Sequence, residues 1–213
     1  MGHGRRAIIW AVAAVGLAGA ARAPAVARGA APLKPVFART VALTPVSGVV
    51  LIRVPTSRFG FVRLYNGPTI VPLGTLVDTT AGTVRLTSAN PSGRTQTGRF
   101  FRGIFRIEQP RSAGGLVNLV LRDNLKRSVC AAPARAAAVK RRILGLLRGT
   151  AKGRFRTTGR FAAATVRGTD WGVRDRCDGT LIVVRTGVVV VRDFRLHKSV
   201  IVRAGQRYLA KAP

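Results

Sequence analysis

The stretch that decides the fold spans residues 164–206 and reads ATVRGTDWGVRDRCDGTLIVVRTGVVVVRDFRLHKSVIVRAGQ. It contains three short runs of mostly β-branched residues, at 180–184, 188–191 and 200–202. Such side chains favour the pleated backbone, so the runs predict strands, and Gly187 can adopt a positive φ at a tight connection. Because the first two runs are almost continuously apolar, we expect both of their faces to contact protein, as in inner strands of a sandwich or roll.

The same stretch carries a set of short motifs in a fixed order. They are Gly168-Thr169 followed by Trp171, Asp178-Gly179-Thr180, the spaced residues Val184, Gly187, Val189 and Val191, and Ala204-Gly205-Gln206. In this order they resemble the FecR-like domain. That resemblance implies an extracytoplasmic β-rich module, of the kind that senses a ligand or partner in cell-surface signalling regulators.

The rest of the chain also favours short strands. Aromatic residues make up only 6% of the chain and there are 24 glycines, so the core must consist mainly of Val, Leu, Ile and Ala, with many turns. Patterns rich in β-formers predict strands at 48–54, 59–65, 75–78, 83–87, 101–107 and 116–122. We expect an all-β fold, an antiparallel sandwich or roll, formed by a single FecR-like domain over residues 46–213.

Two of these patterns make more detailed predictions. Segments 75–78 and 83–87 are expected to form a hairpin around Ala81-Gly82. In 101–107, the residues Phe101, Gly103, Phe105 and Ile107 share one parity, so this face is expected to point into the core.

The N-terminus predicts export. Arg5 and Arg6 precede the apolar run 7–21, and small residues follow in Ala21-Arg22-Ala23 and Ala25-Val26-Ala27, which is typical of a signal peptide over residues 1–27. The run is shorter than the roughly 18 residues of a spanning helix, with an uncleaved anchor as the alternative. Residues 28–45 are rich in Pro and Ala and predict a linker. We therefore expect a secreted or envelope-associated protein without a transmembrane span in the mature chain.

The chain is strongly basic, with 37 Lys and Arg against 7 Asp and Glu and a formal net charge of +30. Such an excess cannot be balanced by internal ion pairs, so the cations must face water or anions. No acid lies between Asp123 and Asp170, and this region supplies the candidate polyanion contacts: Lys140, Arg141, Arg142, Arg148, Lys152, Arg154, Arg156 and Arg160. A solvated surface without a dedicated partner is the alternative.

A short basic amphipathic helix is predicted at the start of this region. Apolar residues recur there at helical spacing, with Pro133 suited to the first turn and Gly149 as a stop: Ala132, Ala136, Val139, Ile143, Leu146 and Leu147. Gly145 costs about 1 kcal/mol relative to Ala in a helix, so a basic loop is the competing interpretation. A helix here would either lie on an anionic membrane or polymer, or cover the edge of the sheet.

Cys130 and Cys177 are the two cysteines of the chain. In an oxidising compartment an even pair predicts one disulfide, with two buried thiols as the alternative. They do not form a CxxC pair, and His197 is the one histidine beyond the predicted signal peptide, so we expect neither a metal site nor a cofactor.

Catalysis would have to use carboxylates. Asp170, Asp175 and Asp178 could act as paired acids in a hydrolase or bind a hard cation. In the other interpretation, Asp178-Gly179 forms a turn while Asp170 and Asp175 neutralise neighbouring arginines. His197 lies in a predicted turn beside Lys198, without a nucleophile and a third group to complete a catalytic arrangement.

We therefore predict a non-catalytic, exported FecR-like domain that acts as a binding or sensory and regulatory module at the cell envelope. Its expected partner is an envelope protein or an anionic envelope polymer, and because export separates it from cellular nucleic acid, no specific nucleic acid is expected. One alternative is a polyanion-binding protein that docks an anionic wall polymer or lipid surface through residues 140–160. The other is a carboxylate-dependent hydrolase.

Overall fold

The computed structural model describes residues 1, 34–125, 127–131, 139 and 141–213. The predicted signal peptide beyond Met1, residues 28–33 of the predicted linker and the candidate contact Lys140 lie outside these ranges.

Strands account for 60% of the structure and helical residues for 4%, which confirms the predicted all-β class. They form one curled sheet of fifteen strands. In chain order these are β1 (Thr40–Gly48), β2 (Leu51–Arg53), β3 (Val62–Arg63), β4 (Thr69–Pro72), β5 (Leu76–Asp78), β6 (Gly82–Ala89), β7 (Thr95–Phe101), β8 (Ile104–Glu108), β9 (Val117–Arg122), β10 (Ile143–Thr158), β11 (Ala162–Arg176), β12 (Gly179–Thr186), β13 (Val188–Asp193), β14 (Lys198–Arg203) and β15 (Arg207–Lys211). Two short 3₁₀ turns, Arg111–Ala113 and Arg127–Cys130, accompany the strands.

The sheet is organised around the long hairpin of β10 and β11. The first part of β10 pairs with β7 and its last part pairs in parallel with β9, whereas β11 pairs first with β13 and then with β12. A register shift between Ala151 and Arg154 divides β10 at this change of partner, and Gly153 there has a φ of 125°. Positive φ costs glycine little, so the chain can bend at this point. The hairpin thereby joins two strand groups: β7 and β12 pair with one half of it, and β9 and β13 pair with the other.

The core lies on the inner face of this curled sheet. Its largest side chains are the buried aromatics Phe100, Phe105, Phe155 and Trp171. The ring of Phe100 lies 5.8, 5.5 and 6.1 Å from the rings of Phe105, Phe155 and Trp171, in tilted or edge-to-face contacts. The indole N–H of Trp171 donates to the hydroxyl of Thr157 at 3.1 Å, so its polar atom is satisfied. The ring of Phe100 is therefore the centre of the aromatic part of the core.

The three strands predicted from the opening stretch are confirmed as β12, β13 and β14, and Gly187 has the positive φ expected of it, at 77°. β12 and β13 do not pair with each other, however. Each pairs with a different half of β11, because the turn at Gly187 carries the chain from one strand group to the other.

The predicted disulfide between Cys130 and Cys177 is also confirmed, with Cα atoms 5.5 Å apart. Cys177 follows β11, so the bond ties the segment before β10 to the end of its hairpin partner. Within the described ranges no helix combines the length and the apolar character needed to cross a bilayer.

The predicted amphipathic helix is not shown. Residues 132–138 lie outside the described residues, and Ile143, Leu146 and Leu147 belong to strand β10. In that strand Gly145, Leu147, Gly149 and Ala151 all point inward. Two of these inward positions are glycines, because a Cβ on Gly149 would lie 2.8 Å from the ring of Phe100. Because three of the four inward residues are Gly or Ala, the sequence does not show the apolar alternation of a strand. The larger apolar residues that remain happen to have helical spacing.

Three further expectations are corrected. The first strand begins at Thr40, inside the predicted linker, and its residues Val41 and Leu43 are buried. Its Pro45 lies beside a register shift, one of the places where a strand tolerates proline.

The predicted hairpin of β5 and β6 does not form. β5 pairs with β2 and β8, whereas β6 pairs with β1 and β7. Phe101 points outward, because the turn at Arg102, with a φ of 68°, resets the alternation and makes Phe100 the core residue.

Candidate anion-binding face

A row of directly paired residues crosses the outer surface of five adjacent strands, β6, β7, β10, β11 and β12. Its members are Arg85, Arg99, Thr150, Asp170 and Thr186. The next residue on each of the two central strands, Gly149 and Trp171, is buried, so the row faces solvent. We call the surface formed by this row, together with Arg148 and Lys152 on β10, the cationic face.

Two like charges lie opposite each other at one end of the row. Arg85 on β6 and Arg99 on β7 are direct cross-strand partners, and both are exposed. Opposed like charges destabilise an antiparallel pair. The acid of the row, Asp170, is two strands away beyond Thr150. The Arg85–Arg99 pair is therefore a position where an external anion would relieve repulsion.

A cleft of about 440 Å³ opens on the cationic face. Its charged lining comprises three cations and one acid: Arg85, Arg99, Lys152 and Asp170. Gly98 and Ala151 also line the cleft, and because Ala151 points inward and Gly98 has no side chain, the floor of the cleft here is the backbone of the sheet. The volume falls in the range of small-molecule sites, and the lining favours anions over neutral ligands.

Arg148 extends the positive charge along β10. Its guanidinium lies 5.0 Å from the ring centre of Phe101 and 3.9 Å from a carboxylate oxygen of Asp170. Partial burial and the neighbouring cation Arg185 lower the pKa of Arg148, and Asp170 opposes part of this effect. Arg102 and Arg174 act in the same direction as Arg185. An arginine keeps its proton under these conditions, so this part of the face concentrates repelling cations.

The acid of the face has an unused acceptor. The N–H of Asp170 donates to the hydroxyl of Thr186 at 3.1 Å, which fixes the backbone there. The Oδ1 atom of Asp170 is the oxygen that lies 3.9 Å from Arg148, a distance too long for a hydrogen bond. Oδ1 of Asp170 and Oγ1 of Thr169 are both buried without a hydrogen-bond partner among the described residues. Buried polar atoms are normally paired, so unpaired ones beside a cleft favour a ligand that brings hydrogen-bond donors, such as hydroxyl groups.

Comparison with known proteins leaves the chain without an assigned family. No family model, curated protein or solved structure matches it. The FecR-like resemblance of residues 164–206 therefore stays a prediction, and the function has to be inferred from the geometry of the sheet.

The structure spreads the predicted polyanion contacts over several surfaces. Arg148 and Lys152 belong to the cationic face. Arg154 donates to the carbonyl of Gly114 at 2.7 Å, and Arg156 donates to the hydroxyl of Thr165 at 3.3 Å. These two lie beyond the register shift of β10, so they do not line the cleft.

The other predicted contacts lie near the ends of the hairpin. Arg160 follows β10, with its guanidinium 4.9 Å from the ring centre of Phe161. Arg141 lines a separate groove with Arg176 and Arg207, and Arg142 is exposed next to the start of β10. The described members of the segment therefore lie on separate surfaces, and whether they contact a polyanion stays a prediction.

The sequence did not reveal Arg85 and Arg99 as site residues. Each lies at an outward position of a strand, and no other local signal distinguishes it from the remaining arginines. Their alternation with buried neighbours could have placed them on the solvent face, but only the register of β6, β7 and β10 shows which cations are adjacent.

The three candidate catalytic carboxylates have separate surroundings. Asp175 is buried, accepts from the backbone N–H of Arg160 at 3.1 Å and from the hydroxyl of Thr180, and burial raises its pKa against the effect of these hydrogen bonds. Asp178 pairs with Arg176. Asp170 and Asp175 are an odd number of residues apart on β11, so they point to opposite faces. The structure therefore does not bring Asp170 and Asp175 together.

The described residues contain no group of three or more His, Cys, Asp or Glu side chains placed to hold a metal ion. His197 is exposed in the turn between β13 and β14, at a φ of 49°.

Proposed function

We propose that this chain is a non-catalytic FecR-like binding module of the cell envelope that binds an anionic, hydroxyl-bearing envelope polymer on its cationic face. The observation that carries this proposal is the direct opposition of Arg85 and Arg99 at the edge of a 440 Å³ cleft. A protein that places like charges against each other in a sheet loses stability, and a bound anion offsets that loss.

The arrangement of the cations favours a polymer over a single small anion. Three successive outward rows of the sheet carry cations: the first has Lys152, the second the Arg85–Arg99 pair and the third Arg148. Successive outward rows are roughly 7 Å apart along a strand. Cations repeated in successive rows of the sheet can each meet a charge of a polyanion, and each polymer charge that a cation neutralises releases counterions.

The carboxylate of Asp170 indicates that the polymer carries hydroxyl groups as well as anionic groups. A carboxylate repels anions, so a purely anionic ligand would gain nothing from it. A sugar or polyol unit between the charged groups of the polymer can donate hydroxyl hydrogen bonds to Asp170 while neighbouring units meet the arginines. If the module is a sensor, binding of the polymer at the cationic face is the signal that it detects. The separation of Asp170 from Asp175 supports binding over hydrolysis.

The test measures binding to polygalacturonate, a hydroxyl-bearing polyanion, over a series of salt concentrations. The Arg85→Gln/Arg99→Gln variant is compared with Arg192→Gln/Arg203→Gln, which removes the same charge from exposed positions on β13 and β14. We expect affinity to fall about tenfold or more in the first variant and its salt dependence to become shallower, with little change in the second.

Two results would oppose this function. Equal losses in the two variants would mean that only the total charge matters. Wild-type binding that does not depend on salt would exclude a polyanion ligand.

A further inference from the structure

Residues 59–65, which comprise the end of the β2–β3 connection, β3 and the two residues after it, expose an unusual amount of apolar surface. Phe59 is 80% exposed, Tyr65 73%, Val62 52% and Phe61 38%. These residues all lie within a seven-residue segment, and soluble proteins rarely leave several large apolar side chains together in water unless the surface contacts something. We call residues 54–65 the aromatic hairpin.

Cations are interleaved with these rings. Arg53 lies 5.5 Å from the ring centre of Phe61, and Arg63 lies 5.8 Å from that of Tyr65. Arg58 precedes Phe59 at the tip, and residues 54–77 contain no acid. The hairpin therefore combines apolar rings with uncompensated positive charge.

Its conformation is set by the sheet and by local hydrogen bonds. The N–H of Leu64 donates to the carbonyl of Val50 at 2.9 Å, and the Leu64 side chain is buried. At the tip, the N–H of Phe59 donates to the hydroxyl of Ser57 at 3.2 Å, and that hydroxyl donates back to the carbonyl of Phe59. The rings of Phe59 and Tyr65 are thus held mostly in solvent, whereas the ring of Phe61 is partly covered, with Arg53 over it.

A second cationic groove lies at the base of the aromatic hairpin. Its volume is about 380 Å³, and three of its lining residues are arginines from three strands: Arg53, Arg106 and Arg122. Arg106 also pairs with Glu108 at 2.6 Å. Guanidinium groups bind phosphate oxygens through planar, directed hydrogen bonds. The groove therefore offers a phosphate site immediately beside exposed aromatic rings.

We infer that the aromatic hairpin docks on an anionic lipid surface, with Phe59 and Phe61 at the level of the headgroups and lipid phosphates at Arg53, Arg63 and the groove. A bilayer is the partner that presents apolar chains and anionic phosphates together, and aromatic and basic side chains anchor proteins at such interfaces. A second copy of this chain is a poor occupant, because a net charge of +30 on each copy opposes their association. A hydrated polymer would leave the apolar rings without an apolar partner.

This lipid-binding surface is separate from the cationic face. Its groove reaches Arg106 on β8 and Arg122 on β9, but it shares no lining residue with the cleft of the cationic face, which lies on β6, β7, β10, β11 and β12. The inference therefore goes beyond the proposed function and does not depend on it.

The first experiment is sedimentation of the full chain with vesicles of phosphatidylcholine, with or without phosphatidylglycerol. We expect binding that requires phosphatidylglycerol and that is about tenfold weaker in Phe59→Ser. Phe194→Ser is the matched control, since Phe194 is a half-exposed ring in the turn after β13. Equal binding by wild type and Phe59→Ser would overturn the inference.

A fluorescence reporter shows which part of the chain meets the lipid. Phe59→Trp is made with Trp10→Phe, which leaves the buried Trp171 as the other tryptophan. We expect a blue shift and quenching by brominated lipid for Phe59→Trp, and neither change for Phe194→Trp in the same background. The Arg85→Gln/Arg99→Gln substitutions should leave this signal unchanged. An unshifted Phe59→Trp spectrum on vesicles that the protein binds would place the contact elsewhere and exclude this surface.

Discussion

The hydroxyl of Tyr208 on β15 donates a hydrogen bond of 2.8 Å to the buried carboxylate of Asp193 at the end of β13. The N–H of Leu196 donates to the other oxygen of this carboxylate at 2.9 Å. Burial alone would raise the pKa of Asp193, but the hydrogen bonds from Leu196 and Tyr208, with a backbone hydrogen bond from Arg195 and the charge of that arginine, together hold the pKa below its ordinary value. The contact joins two strands that do not pair with each other.

This contact predicts a pH-dependent loss of stability in Tyr208→Phe. A carboxylate with a depressed pKa contributes stability that is present above its unfolded pKa of about 3.9 and is lost as the pH falls through its folded pKa. We expect Tyr208→Phe to lower the free energy of unfolding by about 1.5–3 kcal/mol at neutral pH, and by less once Asp193 is protonated. Urea unfolding at several pH values measures this, with the exposed Tyr65→Phe as control. A loss that is the same at every pH would contradict the assignment.

The opposed arginines predict a gain in stability when one is neutralised. Arg85→Gln removes one member of a like-charged cross-strand pair, so we expect the free energy of unfolding to rise by about 0.5 kcal/mol at low salt. Salt screens this repulsion, and the gain should shrink as salt is added. Arg192→Gln is the control, because Arg192 is paired with Ser199. If the two variants gave the same result at low salt, the repulsion would be general rather than local.

The disulfide predicts sensitivity to reductant. Cys130 and Cys177 are 47 residues apart, and closing a loop of that size stabilises a fold by roughly 4 kcal/mol in the chain-entropy model. We expect Cys130→Ser/Cys177→Ser to unfold at a clearly lower urea concentration than the wild type, and to be unaffected by reductant. Detection of two free thiols by mass spectrometry in the oxidised wild type would show that the bond does not form.

Gly103 predicts a severe steric effect at the turn between β7 and β8. A Cβ on this residue would lie 1.6 Å from the backbone carbonyl oxygen of Leu146, far inside any permitted contact. The N–H of Gly103 donates a hydrogen bond to the hydroxyl of Thr79, and that hydroxyl donates to the carbonyl of Gly103, so the backbone here has little freedom to move. We expect Gly103→Ala to shift the β7–β10 pairing or prevent folding, lowering the melting temperature strongly. Gly60→Ala, where a Cβ would meet nothing within 4 Å, should melt like the wild type.

The parts of the fold that were predicted correctly depend on local chemistry. β12, β13 and β14 were visible because their β-branched runs are nearly unbroken, and the disulfide followed from having two cysteines. Local patterns failed where a neighbour determined the residue type. Gly149 is small because the ring of Phe100 fills the space above it, so the strand around it was interpreted as a helix.

For the candidate sites, too, local sequence indicated the residue types, whereas neighbouring strands decided which residues lie together. The basic character of residues 140–160 was evident, yet only Arg148 and Lys152 of the described members reached the cationic face. In the aromatic hairpin, residues 59–65 were predicted only as a strand, and the exposure of their rings depends on β3 lying at the end of the sheet with one pairing partner.

By itself the amino-acid sequence determined the strand-forming runs, the excess of positive charge and the two cysteines available for a disulfide, because these depend on residue type and near neighbours. Tertiary structure decided which charges are adjacent. Arg85, Arg99, Thr150 and Asp170 come from four strands, and their alignment depends on the register of long-range hydrogen-bond ladders. A shift of one residue in any ladder would turn its side chains to the other face, and that register is selected by burying Phe100 and Trp171 on the inner side of the sheet.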